Sequence, residues 1–212
     1  MDESNFGMTT RRVESLSDNV FSVAMTLLVF NLTIPEVLRL SDTELHVLLM
    51  NQWRKFLNYF ISFLLLSVLW SIHHQQFRYI MKTNRVHLWI NIFILMFVVL
   101  VPFSTSLIGD YSGTVTANVF FSANMVVLAA LFHVNWVYAI KDYRLVHHDL
   151  AMGSLRKGTK RSILFLTVSL LALSLSFFAA QWSPMCFVLI PVVFSLKTFR
   201  TSGDVPDHPG GD

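Results

Sequence analysis

The stretch RVESLSDNVFSVAMTLLVFNLTIP, residues 12–35, decides how this chain is read. From Val20 to Ile34 it is apolar enough to enter lipid, yet Asp18 stands at its mouth with Ser17, Asn19, Ser22, Thr26 and Asn31 around it. Ionisable and amide groups in hydrocarbon are costly unless they face protein or water. At 100° per residue, Asn19, Ser22, Val23, Thr26, Phe30 and Thr33 share one face of a helix, and Phe21, Leu28 and Leu32 share the other. Leu28 is accordingly expected to meet lipid. A mixed stripe of small, polar and apolar side chains fits a pore-lining helix; it also fits a helix whose hydroxyls bind neighbouring helices together.

The rest of the chain has the same solvent. Of 212 residues, 54% are hydrophobic and 14% charged, and the mean hydropathy is +0.55. The apolar residues lie in long runs, which helices satisfy in lipid because each closes its own backbone hydrogen bonds; a β-barrel would alternate. Six spans can be marked, at about 17–35, 56–74, 87–109, 117–140, 162–181 and 183–199, the last two forming a tight hairpin. Together they make one transmembrane unit over 1–200, followed by a polar, Gly- and Pro-rich tail over 201–212 that reads as disordered.

Lysine and arginine set the orientation. With the N-terminus in the cytoplasm, thirteen of the sixteen basic residues fall on the cytoplasmic side, and only Arg39, Arg54 and Lys55 fall outside. An even number of spans returns the C-terminus to the cytoplasm. The same topology explains the excess of +3 charges better than nucleic acid does, so no nucleic-acid partner is expected. The single cysteine, Cys186, excludes a disulfide within one chain.

The second span ends Trp70-Ser-Ile-His73-His74 and the third opens Leu88-Trp89-Ile-Asn91. Because successive spans run in opposite directions, Arg12, Ser17 and Asp18 lie at the depth of His73, His74, Trp89 and Asn91. Imidazole, indole N–H and guanidinium are all suitable partners for a carboxylate. Arg12 and His73 are the expected partners of Asp18, forming a clamp on the first helix in which histidine protonation would sense pH. An interfacial belt of aromatic and polar residues without specific pairing is the other reading.

Adjacent His73 and His74 point about 100° apart on a helix and cannot easily share one metal ion, and neither HExxH, GxSxG nor a Walker A stretch occurs. No metal, no cofactor and no enzymatic activity are expected.

At these residues the chain resembles the lysosomal potassium channel family of the transmembrane protein 175 type and its prokaryotic relatives. Arg12-x-x-x-Leu16-Ser17-Asp18 is similar to the family's R-x-x-x-F-S-D signature, and Trp70-x-x-His73-His74, Leu88-Trp89-x-Asn91 and Pro102-Phe103-x-Thr105 resemble its prokaryotic members. The resemblance implies a homotetramer of six-helix subunits whose first helices surround a pathway for monovalent cations, with potassium as the permeant ion. It places a hydrophobic constriction on Val23, a contribution to potassium preference on Thr26, and further apolar layers on Leu27 and Phe30. Arg12, Ser17, Asp18, Trp70, His73, His74, Trp89 and Asn91 would form the packing network around the pore helix. The family lacks a TVGYG filter, and so does this sequence. Leu16 stands where the signature has phenylalanine, and Val23 where leucine or isoleucine is usual, which implies a slightly wider constriction.

The expectation is therefore an all-α, multi-pass potassium-permeable channel of a prokaryotic cytoplasmic (inner) membrane, embedded in the lipid bilayer. Its rival is a non-conducting or transporter-like protein built on the same helices; a transporter would usually show interrupted helices or repeats with charges at midplane.

Overall fold

The computed structural model describes residues 9–33, 40–147 and 152–195. Their regular secondary structure is helical apart from one isolated bridge between Ile80 and Val146, with short turns between the helices. Helix α1 spans Thr10–Leu27 and tightens into a 3₁₀ turn over Leu28–Asn31; α2 spans Asp42–Asn51, α3 Trp53–Tyr79, α4 Arg85–Asp110, α5 Val115–Ile140 and α6 Met152–Phe178. A 3₁₀ segment, Ala180–Val188, then leads into α7, Leu189–Ser195.

Five helices are long and apolar enough to cross a membrane: α1 with its 3₁₀ turn, α3, α4, α5 and α6. At about 1.5 Å per residue, the 27 residues of α3 reach about 40 Å, beyond the ~30 Å hydrocarbon core. The sixth expected span is different. Ala180–Val193 is apolar but short, starts in the 3₁₀ form and carries Pro184 and Pro191, which cannot donate to a helical ladder. The rest of that span, and the tail over 201–212, lie outside the described residues.

Helix α2 has no counterpart among the expected spans. A capping box starts it: Glu44 N–H donates to Ser41 Oγ at 3.4 Å, and Ser41 N–H donates to Glu44 Oε2 at 2.8 Å. None of its residues is buried.

The bundle core runs through α1, α3, α4, α5 and α6, with Phe21, Leu66, Ile94, Phe121, Met125 and Phe165 fully enclosed. Small polar residues tie these helices together, as lipid-embedded bundles require. Thr105 Oγ1 donates to Ser62 Oγ at 2.8 Å, joining α4 to α3. Ser122, Ser176 and Ser183 form a closed hydroxyl triangle with sides of 2.8–3.1 Å, joining α5, α6 and the 3₁₀ segment. Gly158 lets α6 approach α5, because a Cβ there would lie 2.5 Å from the Trp136 ring.

Candidate functional site: the α1 helix and its clasp

Every third or fourth residue of α1 is buried: Val13, Ser17, Phe21 and Ala24, then Leu28 in the 3₁₀ turn. This spacing aims one stripe at α3 and α4. Leu28 is completely enclosed. It meets the core of its own subunit and not lipid, because the face opposite Val23 is the one packed on the bundle. The complementary face is open: Val23 is 54% exposed, Leu27 38% and Phe30 72%, and Asn19, Ser22 and Thr26 lie exposed among them. Of the five long helices, α1 is the least buried.

Two contacts one helical turn apart fix α1 on α3. Trp70 Nε1–H donates to Asp18 Oδ1 at 2.8 Å, and His74 Nδ1 stands 3.2 Å from Glu14 Oε1. Trp70 and His74 stack on each other, their ring centroids 5.8 Å apart. The order is antiparallel, Glu14 with His74 and Asp18 with Trp70, as two adjacent spans demand. The partner of Asp18 is thus the indole, not Arg12 or His73. Arg12 is exposed, and its side chain pairs with no described residue. It points away from the bundle because Val13, beside it, occupies the buried stripe.

His73 faces inward instead. It is fully buried among Phe21, Phe77 and Phe132, stacking on Phe77 with ring centroids 4.6 Å apart. Its Nε2 lies 3.0 Å from Asn91 Oδ1. The Asn91 amide nitrogen donates to the His87 carbonyl at 2.8 Å, which fixes the amide and makes Nε2–H of His73 the donor. From Asn91 the chain of amides continues through Asn135 to Gln76. Trp89 stays outside this network: it is 58% exposed on the outer face of α4, beside Phe93. Ser17 is buried and returns its hydroxyl to the Val13 carbonyl at 2.8 Å.

The expected cluster therefore divides into an α1–α3 clasp of Glu14, Asp18, Trp70 and His74 and a core network of His73 and Asn91, with Arg12 and Trp89 in neither. Glu14 is the residue sequence reasoning passed over; it precedes Asp18 by four positions, as Trp70 precedes His74, so the two pairs were readable as matching helical ridges. Asn31 fastens the other end of α1. Its side-chain nitrogen donates to the Pro102 carbonyl at 2.9 Å and ties the end of α1 to α4.

On the open face, Thr26 Oγ1 donates to the Val23 carbonyl at 2.8 Å. Its proton is thereby committed to the backbone, and the oxygen's lone pairs remain for an electron-poor partner such as a cation. Among the described residues no group of three His, Cys, Asp or Glu side chains is placed to hold a metal ion.

This is the architecture of a multi-pass membrane protein with one helix clasped at its polar end and left open along its length. The model of the endosomal/lysosomal potassium channel TMEM175 family matches residues 12–102, which include the whole clasp. A potassium channel of Chamaesiphon minutus is 30% identical over 89% of this chain and 95% of its own length. One of Streptomyces collinus is 33% identical over 59% of this chain and 62% of its own. The crystal structure of a lysosomal potassium-selective channel TMEM175 homolog from Chamaesiphon minutus superposes with a TM-score of 0.78 at 26% identity, covering 89% of this chain and 97% of that one. The chain belongs to the TMEM175 family, as a prokaryotic member, and the family is one of ion channels, not enzymes.

Proposed function

We propose that this protein is a potassium-permeable cation channel in which α1 helices from four copies surround the pathway. The observation that carries this reading is the open face of α1. Asn19, Ser22 and Thr26 are exposed there; Thr26 gives its proton to the backbone, but lipid would leave the Asn19 amide and the remaining acceptor capacity of the two hydroxyls unsatisfied. A ring of like helices around a hydrated pathway covers that face and gives those groups water. One helix cannot enclose a pore, so a closed symmetric assembly is required, and the family's channels support the same reading.

In this arrangement Val23 forms the constriction, with Leu27 and Phe30 as apolar layers beyond it, and the free lone pairs of Thr26 favour a partly dehydrated cation. Apolar walls discriminate through dehydration and dewetting instead of fixed coordination, so conduction is slow and only modestly selective for potassium over sodium. The Trp70–Asp18 and His74–Glu14 contacts hold α1 against its own bundle while its other face meets the pathway. The Lys- and Arg-rich end of the bundle faces the cytoplasm of a prokaryotic inner membrane, six spans placing both termini there. Native mass measurement of the purified chain in mild detergent tests the assembly: a tetramer is expected, and monomers alone would remove the pore.

A further inference from the structure

Arg156 and Lys160 stand one turn apart near the start of α6, and both line a cavity of about 500 Å³. Neither forms an ion pair with any described residue. Ile140 and Leu155 give the cavity an apolar wall, and Thr159 adds a hydroxyl between the two cations. The turn after α5 supplies the other side. There Asp142 and Tyr143 take left-handed φ values of 54° and 50°, a conformation uncommon away from glycine and rarer still for a bulky side chain.

Such strain persists only where the surroundings over-determine it. Here Leu145 N–H donates to the Ala139 carbonyl at 3.1 Å, Met81 N–H donates to the Leu145 carbonyl at 2.8 Å, and Ile80, Ala139, Leu145 and Val146 close a small apolar cluster beneath the turn. The turn that forms this wall is therefore braced by backbone hydrogen bonds and by the apolar cluster beneath it.

The geometry points to a binding site for an anionic phospholipid, its phosphodiester between Arg156 and Lys160 and the root of its acyl chains on Ile140 and Leu155. Asp142 is the acidic residue of the wall. Two cations against one carboxylate leave a single positive charge, which matches a phosphodiester. Inorganic phosphate would leave the apolar wall uncovered. Basic pockets at the cytoplasmic ends of membrane helices commonly recognise such headgroups. Only the leaflet rests on the orientation proposed above.

The test is a titration of the purified full-length chain in detergent with phosphatidylglycerol and with phosphatidylcholine of the same acyl chains, read as lipid adducts by native mass spectrometry. Phosphatidylglycerol should bind preferentially, and Arg156→Gln with Lys160→Gln should weaken it by about tenfold or more. Arg54→Gln, at the opposite end of the bundle, should change nothing. Asp142→Asn, which tolerates the same backbone, should tighten binding, a result that a purely structural role for the turn would not produce. Equal phosphatidylglycerol binding in wild type and the double variant, or displacement of the lipid by millimolar inorganic phosphate, would overturn the site. Sidedness is read separately: labelling of Lys160→Cys in a Cys186→Ser background by an impermeant thiol reagent from outside the cell would overturn the orientation and leave the binding result intact.

Discussion

The Trp70 indole N–H sits 2.8 Å from Asp18 Oδ1 and joins the ionisable mouth of α1 to α3. Asp18 lies at the same end of the bundle as the exposed Arg12, yet its contact is to a neutral donor on α3.

Trp70→Phe keeps an aromatic ring against His74 and removes only the donor. With both groups partly solvated, the loss is expected to be about 1 kcal/mol, the ordinary value of one hydrogen bond. A double-mutant cycle of Trp70→Phe with Asp18→Ala, followed by unfolding in detergent, should show coupling of similar size. The same cycle between Arg12→Ala and Asp18→Ala should show almost none. Strong Arg12–Asp18 coupling would instead favour a clamp built on the arginine.

Gly158→Ala tests the α5–α6 contact. Alanine usually gains up to about 1 kcal/mol over glycine inside a helix, but here its Cβ would meet the fully buried Trp136 ring at 2.5 Å. Displacing that ring also breaks the 3.2 Å bond from its Nε1–H to Thr159 Oγ1. Net destabilisation of about 1–3 kcal/mol is expected, as for other overpacked sites. Thermal unfolding and the emission maximum of Trp136 should move together, and an unchanged melting temperature would contradict the close approach.

The exposed helix α2 should respond to acid. Hydrogen bonds from the Ser41 side chain and then the Ser41 backbone hold the Glu44 carboxyl below its ordinary value of 4.5. The capping box therefore contributes fully above that value and is lost as pH falls through the lower folded one. Hydrogen-exchange protection of residues 42–51, corrected for intrinsic rates, should fall on acidification in wild type. In Ser41→Ala it should be low at every pH.

The sequence reading and the structure part company where hydropathy stops carrying information. Long apolar runs locate α3, α4 and α5 to within five residues at either end, because lipid thickness sets the apolar length; α6 begins at Met152, ten residues before its expected start at 162, since Arg156, Lys157, Lys160 and Arg161 are helical yet charged. Helix α1 begins at Thr10, seven residues before its expected start at 17, since Arg11, Arg12 and Glu14 are helical yet polar and invisible to an apolar window. Helix α2 was legible only as the pattern Ser41-x-x-Glu44. Depth matching set Arg12, Ser17 and Asp18 level with His73, His74, Trp89 and Asn91. It could not say which would touch, because that depends on rotation about each axis: Trp70 and His74 share the ridge facing α1, while His73, about 100° away, turns into the core. The same rotation encloses Leu28 and leaves Val23 open.

Leu28, being enclosed, is a core position, and Leu28→Ala should destabilise the subunit by about 2–5 kcal/mol. Leu171, exposed on α6, is the better place for a neutral substitution, and Leu171→Val should leave unfolding within about 0.5 kcal/mol of wild type. Comparable losses at the two positions would contradict the assignment of the buried and open faces.

Potassium flux into liposomes loaded with matched amounts of wild type, Val23→Asn, Thr26→Val and Leu171→Val tests the pore most directly. If Val23 rings the pathway, asparagine wets the constriction: flux should rise and the preference for potassium over sodium should fall. Thr26→Val should lower that preference with the fold intact, and Leu171→Val should match wild type. Equal flux in wild type and Val23→Asn would show that position 23 does not form the constriction, and no flux in any variant would contradict the channel itself.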